Sequence, residues 1–143
     1  MQALIGALAL LSLQTAPGGW VWTLYEDGGA VTLANEVPDT PQLRATLECQ
    51  PGSGVVKVSA YGVGPGAEFA TLTSGSASAT GEVQPSRGPA PRIAVMTQAS
   101  HPVFAAFSAS GALSVRSGDR TAALAVPGGD LPKLARFAEL CGR

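Results

Sequence analysis

Histidine occurs once and cysteine twice in this chain, and charge is sparse. Asp, Glu, Lys and Arg make up 13% of the residues, where an average globular chain carries roughly 25%. Each shortage excludes something. The single histidine, His101, has no companion ligands, and CxxC is absent, so neither a metal nor a dithiol redox site is expected. No motif implies a cofactor. Lys and Arg total nine, against ten acids, and form no run. Nucleic-acid recognition needs a clustered basic face, and a polybasic membrane patch needs about four or more neighbouring cations. Nucleic acid is therefore not an expected partner. GxSxG and SxxK are also missing, which removes two signatures of serine-based hydrolysis or acyl transfer.

What the chain does have is small residues, turns and short apolar runs. Its 18 glycines and 11 prolines fall short of the roughly 25–30% that marks disorder, yet require many turns. Arg outnumbers Lys, and Ala, Gly and Pro are abundant, a coding bias of the GC-rich bacterial kind.

Ala3 to Leu13 is an uncharged, mostly apolar run of eleven residues. A membrane-spanning helix needs about 20; the core of a secretory leader needs roughly 7–15, followed by small residues. Residues 1–16 are thus expected to be a signal peptide, and 17–143 a single β-rich domain. Two features run against the pattern: no Lys or Arg precedes the run, and Gln14 stands where a small residue is preferred. A buried N-terminal helix is the competing reading. Export places the protein in the periplasm or outside the cell, with no stable membrane span once the leader is gone.

Export also decides the cysteines. In an oxidising compartment thiols pair, and Cys49 and Cys141, 92 positions apart, allow one pairing. Both are expected to face inward. In LRATLECQ, residues 43–50, Leu43, Ala45, Leu47 and Cys49 share one face of a strand by the period of two. In LPKLARFAELCGR, residues 131–143, Leu131, Leu134, Ala138 and Cys141 share one face of a helix, widened by Phe137. Asp130 is the expected N-cap, Pro132 fits the first turn, and Gly142 is expected to end the helix in a left-handed conformation. A disulfide would tie down a terminal helix that otherwise frays.

Short strands are expected at WVWTLYE (20–26) and AVTLAN (30–35), a hairpin around Asp27-Gly28-Gly29. Others are LRATLECQ, VVKVSAY (55–61), a weaker hairpin over 68–83, RIAVMTQ (92–98), and a final pair over 112–126. PVFAAFSAS (102–110) fits either helix or strand. Residues 62–91 are the least defined and read as an exposed flap. The expected fold is mainly β, a β-sandwich or open barrel of roughly eight short strands, with one C-terminal helix packed on it.

Few residues suggest chemistry. His101 precedes Pro102 at the edge of an element, where a turn or cap role competes with catalysis. Glu26-Asp27 sits at a hairpin turn, which Asp stabilises through its own backbone. Gly62 to Ala67 mimics a phosphate loop, but Pro65 removes a donor and no helix follows. Trp20 and Trp22, two apart on a strand, would project from one face and could form a surface that stacks on sugar rings or on an apolar partner. The competing reading makes them core. The expectation is an exported, non-enzymatic domain that binds, inhibits or associates with the envelope, its partner an unidentified protein or glycan. The alternatives are a small hydrolase assembled around His101 and a structural subunit of an envelope complex.

Overall fold

Alternating apolar positions recur in short runs broken by Gly and Pro, and the computed structural model, which describes residues 19–142, turns these runs into strands. In chain order they are β1 (Val21–Tyr25), β2 (Val31–Glu36), β3 (Leu43–Cys49), β4 (Val55–Tyr61), β5 (Phe69–Ser74), β6 (Ala77–Glu82) and β7 (Arg92–Gln98), then helix α1 (Pro102–Ser110), β8 (Ala112–Ser117), β9 (Arg120–Ala125) and helix α2 (Leu131–Cys141). The expected signal peptide at 1–16 lies outside the described residues.

The nine strands form two antiparallel sheets packed as a sandwich. One has the order β1-β2-β3-β4-β7, the other β6-β5-β8-β9. Inner faces follow the period of two: Leu33, Leu47, Val58 and Val95 pair across the first sheet, and Leu72, Val115 and Ala122 across the second. These side chains, with Val103, Phe104 and Phe107 of α1 and Leu134 and Phe137 of α2, make one hydrophobic cluster. The helices meet inside it, where the Phe104 ring lies 6.2 Å from that of Phe137. Burying a large apolar side chain contributes roughly 1.5–3 kcal/mol, so these two phenylalanines are substantial anchors.

On one side the sheets nearly merge. Val83 bridges to Val95, and the Gln84 amide donates to the Ala94 carbonyl at 2.7 Å. Gly81 permits this approach: a Cβ there would stand 2.8 Å from Val95 Cγ2. On the other side, Trp22 Nε1 donates to the Ala125 carbonyl at 3.0 Å, and Lys133 Nζ to the Trp22 carbonyl at 2.7 Å.

Several details depart from expectation. Residues 62–91 are not a flap throughout, because β5 pairs with both β6 and β8 and lies inside its sheet. Residues 102–110 form a second helix. His101 is its N-cap, with Nδ1 accepting from the Val103 amide at 3.1 Å. Asp130 precedes α2 but makes no capping bond. A short 3-10 turn over Gly128–Asp130 runs directly into the helix, leaving Asp130 at φ −103°, ψ −3°, and its carboxylate instead meets Lys133 Nζ at 3.0 Å. Gly142 is extended (φ −72°, ψ 175°) rather than left-handed.

That last departure has a physical reason. The final carbonyls of a helix need donors from elsewhere, and the β3–β4 turn supplies them. The Gly52 amide donates to Leu140 and the Gly54 amide to Cys141, both at 2.9 Å. The Cys49–Cys141 disulfide fastens the same junction, with the two Cα atoms 5.8 Å apart. Cys141 is fully buried and Cys49 nearly so, as the two periodicities required.

Candidate functional site

The expected paired face of Trp20 and Trp22 does not form. Trp22 is 4% exposed, with its indole in the core, and it lies in β1 on the inward side together with Leu24. Trp20 precedes the strand, so the alternation that governs β1 does not extend to it. It is half-buried, and the Arg44 guanidinium lies over its ring, 4.2 Å from the centroid. Trp22 is thus withdrawn from the candidate surface, while Trp20 remains.

Arg44 sits at a β-bulge. Asn35 pairs with Ala45, but Glu36 pairs with Leu43, so Arg44 has no partner of its own on β2. Bulges twist a strand and re-aim a side chain. On the next strand the outward residue is Tyr61, the last of β4. It pairs directly with Arg92, the first residue of β7. The Arg92 guanidinium sits 5.9 Å from the Tyr61 ring centroid, and its Nη1 lies 3.4 Å from the phenol oxygen. Tyr61 Oη also approaches Thr46 Oγ1 at 3.4 Å. The outer face of the five-stranded sheet therefore carries, in order across it, Trp20, Arg44, Tyr61 and Arg92.

Two proline-bearing loops flank this array, residues 37–42 and 85–91. Between them is a depression of about 440 Å³, lined by Trp20, Pro41, Gln42, Leu43, Tyr61, Gly62, Ala90 and Pro91. Ligand sites usually span about 300–1,000 Å³ and combine apolar walls with a few polar groups. Beside the array runs a row of small outward residues, Ala34, Thr46, Ser59 and Ala94, all nearly inaccessible. Ser59 Oγ and Arg92 Nε are buried with no hydrogen-bond partner among the described residues.

The electrostatics of this end are uneven. Among the described residues Arg120 pairs with Asp119, Lys133 with Asp130, and Arg136 with Glu26 and Glu139; Arg44 and Arg92, like Lys57, Arg87 and Arg116, pair with no carboxylate. The nearest acid along β2, Glu36, is occupied: Tyr25 Oη donates to its carboxylate at 2.6 Å. That bond holds the Tyr25 phenol above its ordinary range, because ionising it would both lose the bond and set a phenolate beside a carboxylate.

Other candidates do not assemble. The His101 Nδ1 acceptor is taken by the Val103 amide. No three His, Cys, Asp or Glu side chains converge as metal ligands among the described residues. No helix among them is long and apolar enough to cross a membrane. A second depression, of about 350 Å³, opens at the other end of the same sheet face beside Glu48, Val55, Lys57 and Met96. Its two charges are of opposite sign, and its walls are mostly apolar.

Arg44, Tyr61 and Arg92 are absent from the sequence-based candidates. Their outward parity was readable within each strand, but their adjacency depends on β7 pairing with β4 and on the bulge, neither of which has a local signature. Comparisons with protein-family models, curated proteins and solved structures found no match.

Proposed function

We propose that this chain is an exported, non-enzymatic binding domain whose ligand docks on the outer face of the five-stranded sheet around Trp20, Arg44, Tyr61 and Arg92. The observation that carries the reading is that alternating array of rings and guanidiniums beside a walled depression. Binding surfaces are enriched in Trp, Tyr and Arg because each offers large contact area with a polar handle. The same face also exposes Val21, Tyr25, Val55 and Met96, but only the array sets guanidiniums against aromatic rings.

Support for export comes from two independent directions. The leader pattern at 1–16 is one. The other is the Cys49–Cys141 bond, which suits an oxidising compartment, where such bonds persist. A periplasmic or secreted location accounts for both. The hydrolase alternative gains nothing from His101, whose geometry is that of a helix cap. No specific contact favours the structural-subunit alternative.

The test is binding by the mature chain to glycan and peptide arrays, run beside Trp20→Ala and Arg92→Ala. The expected result is a ligand class retained by the parent and lost by both variants, with unchanged melting temperatures. Binding that survives both substitutions would place the ligand elsewhere on the molecule. No binding to any array member would count against a binding role.

A further inference from the structure

We infer that the ligand of this surface is a carboxylate-bearing saccharide, with its sugar ring against Tyr61 and its carboxylate held by Arg44 and Arg92. This rests on the reading of that face as a binding site.

The two arginines are arranged for such a partner. A guanidinium carries its five donors in its plane, and stacking on a ring uses its face. The Arg44 guanidinium lies over the Trp20 ring, 4.2 Å from its centroid, and such a contact leaves N–H donors for a further partner. No carboxylate of the described residues has claimed them. Arg92 has one long contact to the Tyr61 phenol and an Nε with no acceptor. A buried donor without an acceptor is unfavourable, and a bound anion that draws the guanidinium toward it relieves that state. Planar, two-point recognition of a carboxylate is the interaction that Arg makes best.

Spacing points the same way. Tyr61 stands between Arg44 on β3 and Arg92 on β7, and adjacent strands lie about 4.8 Å apart. The two arginine backbones are therefore separated by about two strand spacings, with an aromatic ring at the centre. A ligand that fits presents an apolar face to the Tyr61 ring, polar groups around its rim and negative charge at its margin. A sugar ring bearing a carboxylate does so through its C–H face, and the Tyr61 hydroxyl and the Gln42 amide offer hydrogen bonds to its own hydroxyls.

Two competing occupants fit less well. A nucleic-acid strand needs a track of cations along its backbone, and this face offers two at the array. An extended peptide gains affinity by adding a strand to a free sheet edge. Here β3 and β4 are interior strands, and β7 is paired to β4 and bridged to Val83. The free edge of this sheet is β1, which Trp20 precedes, and it lies two strands away from Arg44 on β3.

The experiment titrates the mature, disulfide-bonded chain with tetragalacturonate, its fully methyl-esterified form, an acidic peptide and a proline-rich peptide, read by tryptophan fluorescence and calorimetry. Tetragalacturonate is expected to bind, and esterification to weaken it at least about tenfold, the scale of one charge-assisted bond. Arg44→Gln and Arg92→Gln should each cost about tenfold with unchanged melting. Arg92→Lys should also lose affinity, because charge alone does not restore the fork. Equal binding of acid and ester, or no saccharide binding at all, overturns the inference. Binding of either peptide that is lost in the arginine variants also overturns it, while sustaining the binding-domain reading. If Arg44→Gln and Arg92→Gln leave the binding of every probe and array ligand intact, both readings fall together.

Discussion

The Trp22 indole donates to the Ala125 carbonyl at 3.0 Å, joining the first strand of one sheet to the last strand of the other across 103 positions of sequence. Lys133 completes the contact from α2 by donating to the Trp22 carbonyl. One tryptophan thus ties both sheets and the terminal helix at the side where no strand pairing links them. Its role is architectural, in contrast to Trp20, two residues earlier.

Replacing Trp22 should therefore act on stability and not on binding. Trp22→Ala removes a buried aromatic and should cost about 3–5 kcal/mol. Trp22→Phe keeps most of the apolar volume but strands the Ala125 carbonyl, for a loss of about 1–3 kcal/mol. Urea unfolding followed by circular dichroism measures both. A change below about 0.5 kcal/mol, the level of an ordinary surface substitution, would contradict this account of the seam.

The disulfide should be the largest single contributor. Closing a loop of this length removes unfolded-chain entropy equivalent to about 4–5 kcal/mol in the simple polymer treatment, in a domain whose total stability is of the order of 5–15 kcal/mol. Reduction, or the Cys49→Ser/Cys141→Ser pair, should lower the melting temperature sharply. Hydrogen exchange adds a local signature. The Gly52 and Gly54 amides, bonded to Leu140 and Cys141, should lose protection before the amides of β5 and β8. Simultaneous loss would mean that the helix end does not open on its own.

His101 should behave as a cap. Its Nδ1 takes the Val103 amide, so His101→Ala should cost about 0.5–2 kcal/mol and His101→Asn or His101→Asp should retain most of the stability. Ligand binding should be unchanged in all three. A loss of affinity with intact stability would return His101 to the list of functional groups.

Much of this architecture was legible in the residues. LRATLEC and VVKVSAY alternate cleanly, and the inward parity of Cys49 and the helical phase of Cys141 named the disulfide partners independently. The hairpin expected over 68–83 forms as β5 and β6, but its signal is weak because β6 reads ASATGE, with little apolar contrast; it packs small residues where it approaches β7, and Gly81 leaves room for Val95. A strand defined by what it makes space for carries a weak periodic signal. What stayed hidden was non-local. The helix ends were misjudged for a similar reason: Asp130 and Gly142 have the right identities for caps, but the 3-10 turn before α2 and the β3–β4 turn beside its end decide the geometry. The site was half visible. Trp20 stood out by its type, whereas Arg44 sits beside it at a bulge, and Arg92 met Tyr61 only because the chain returns to β4 after building half of the other sheet.

The same sheet face offers a titration. Tyr25 Oη donates to the Glu36 carboxylate, and the phenol is held above its ordinary value of 10.0, first by that bond. Because the folded state binds this proton more tightly than the unfolded chain does, the contact favours folding below the unfolded value. That contribution is lost as pH rises through the higher folded value, so the change in stability with pH that it causes is confined to alkaline solution. Phenolate absorbance in a Tyr61→Phe background reports Tyr25 alone. Its midpoint should lie above 10.0, and Glu36→Gln should bring it down by removing the charge that opposes ionisation. An unchanged midpoint in Glu36→Gln would show that the carboxylate does not hold the proton in solution.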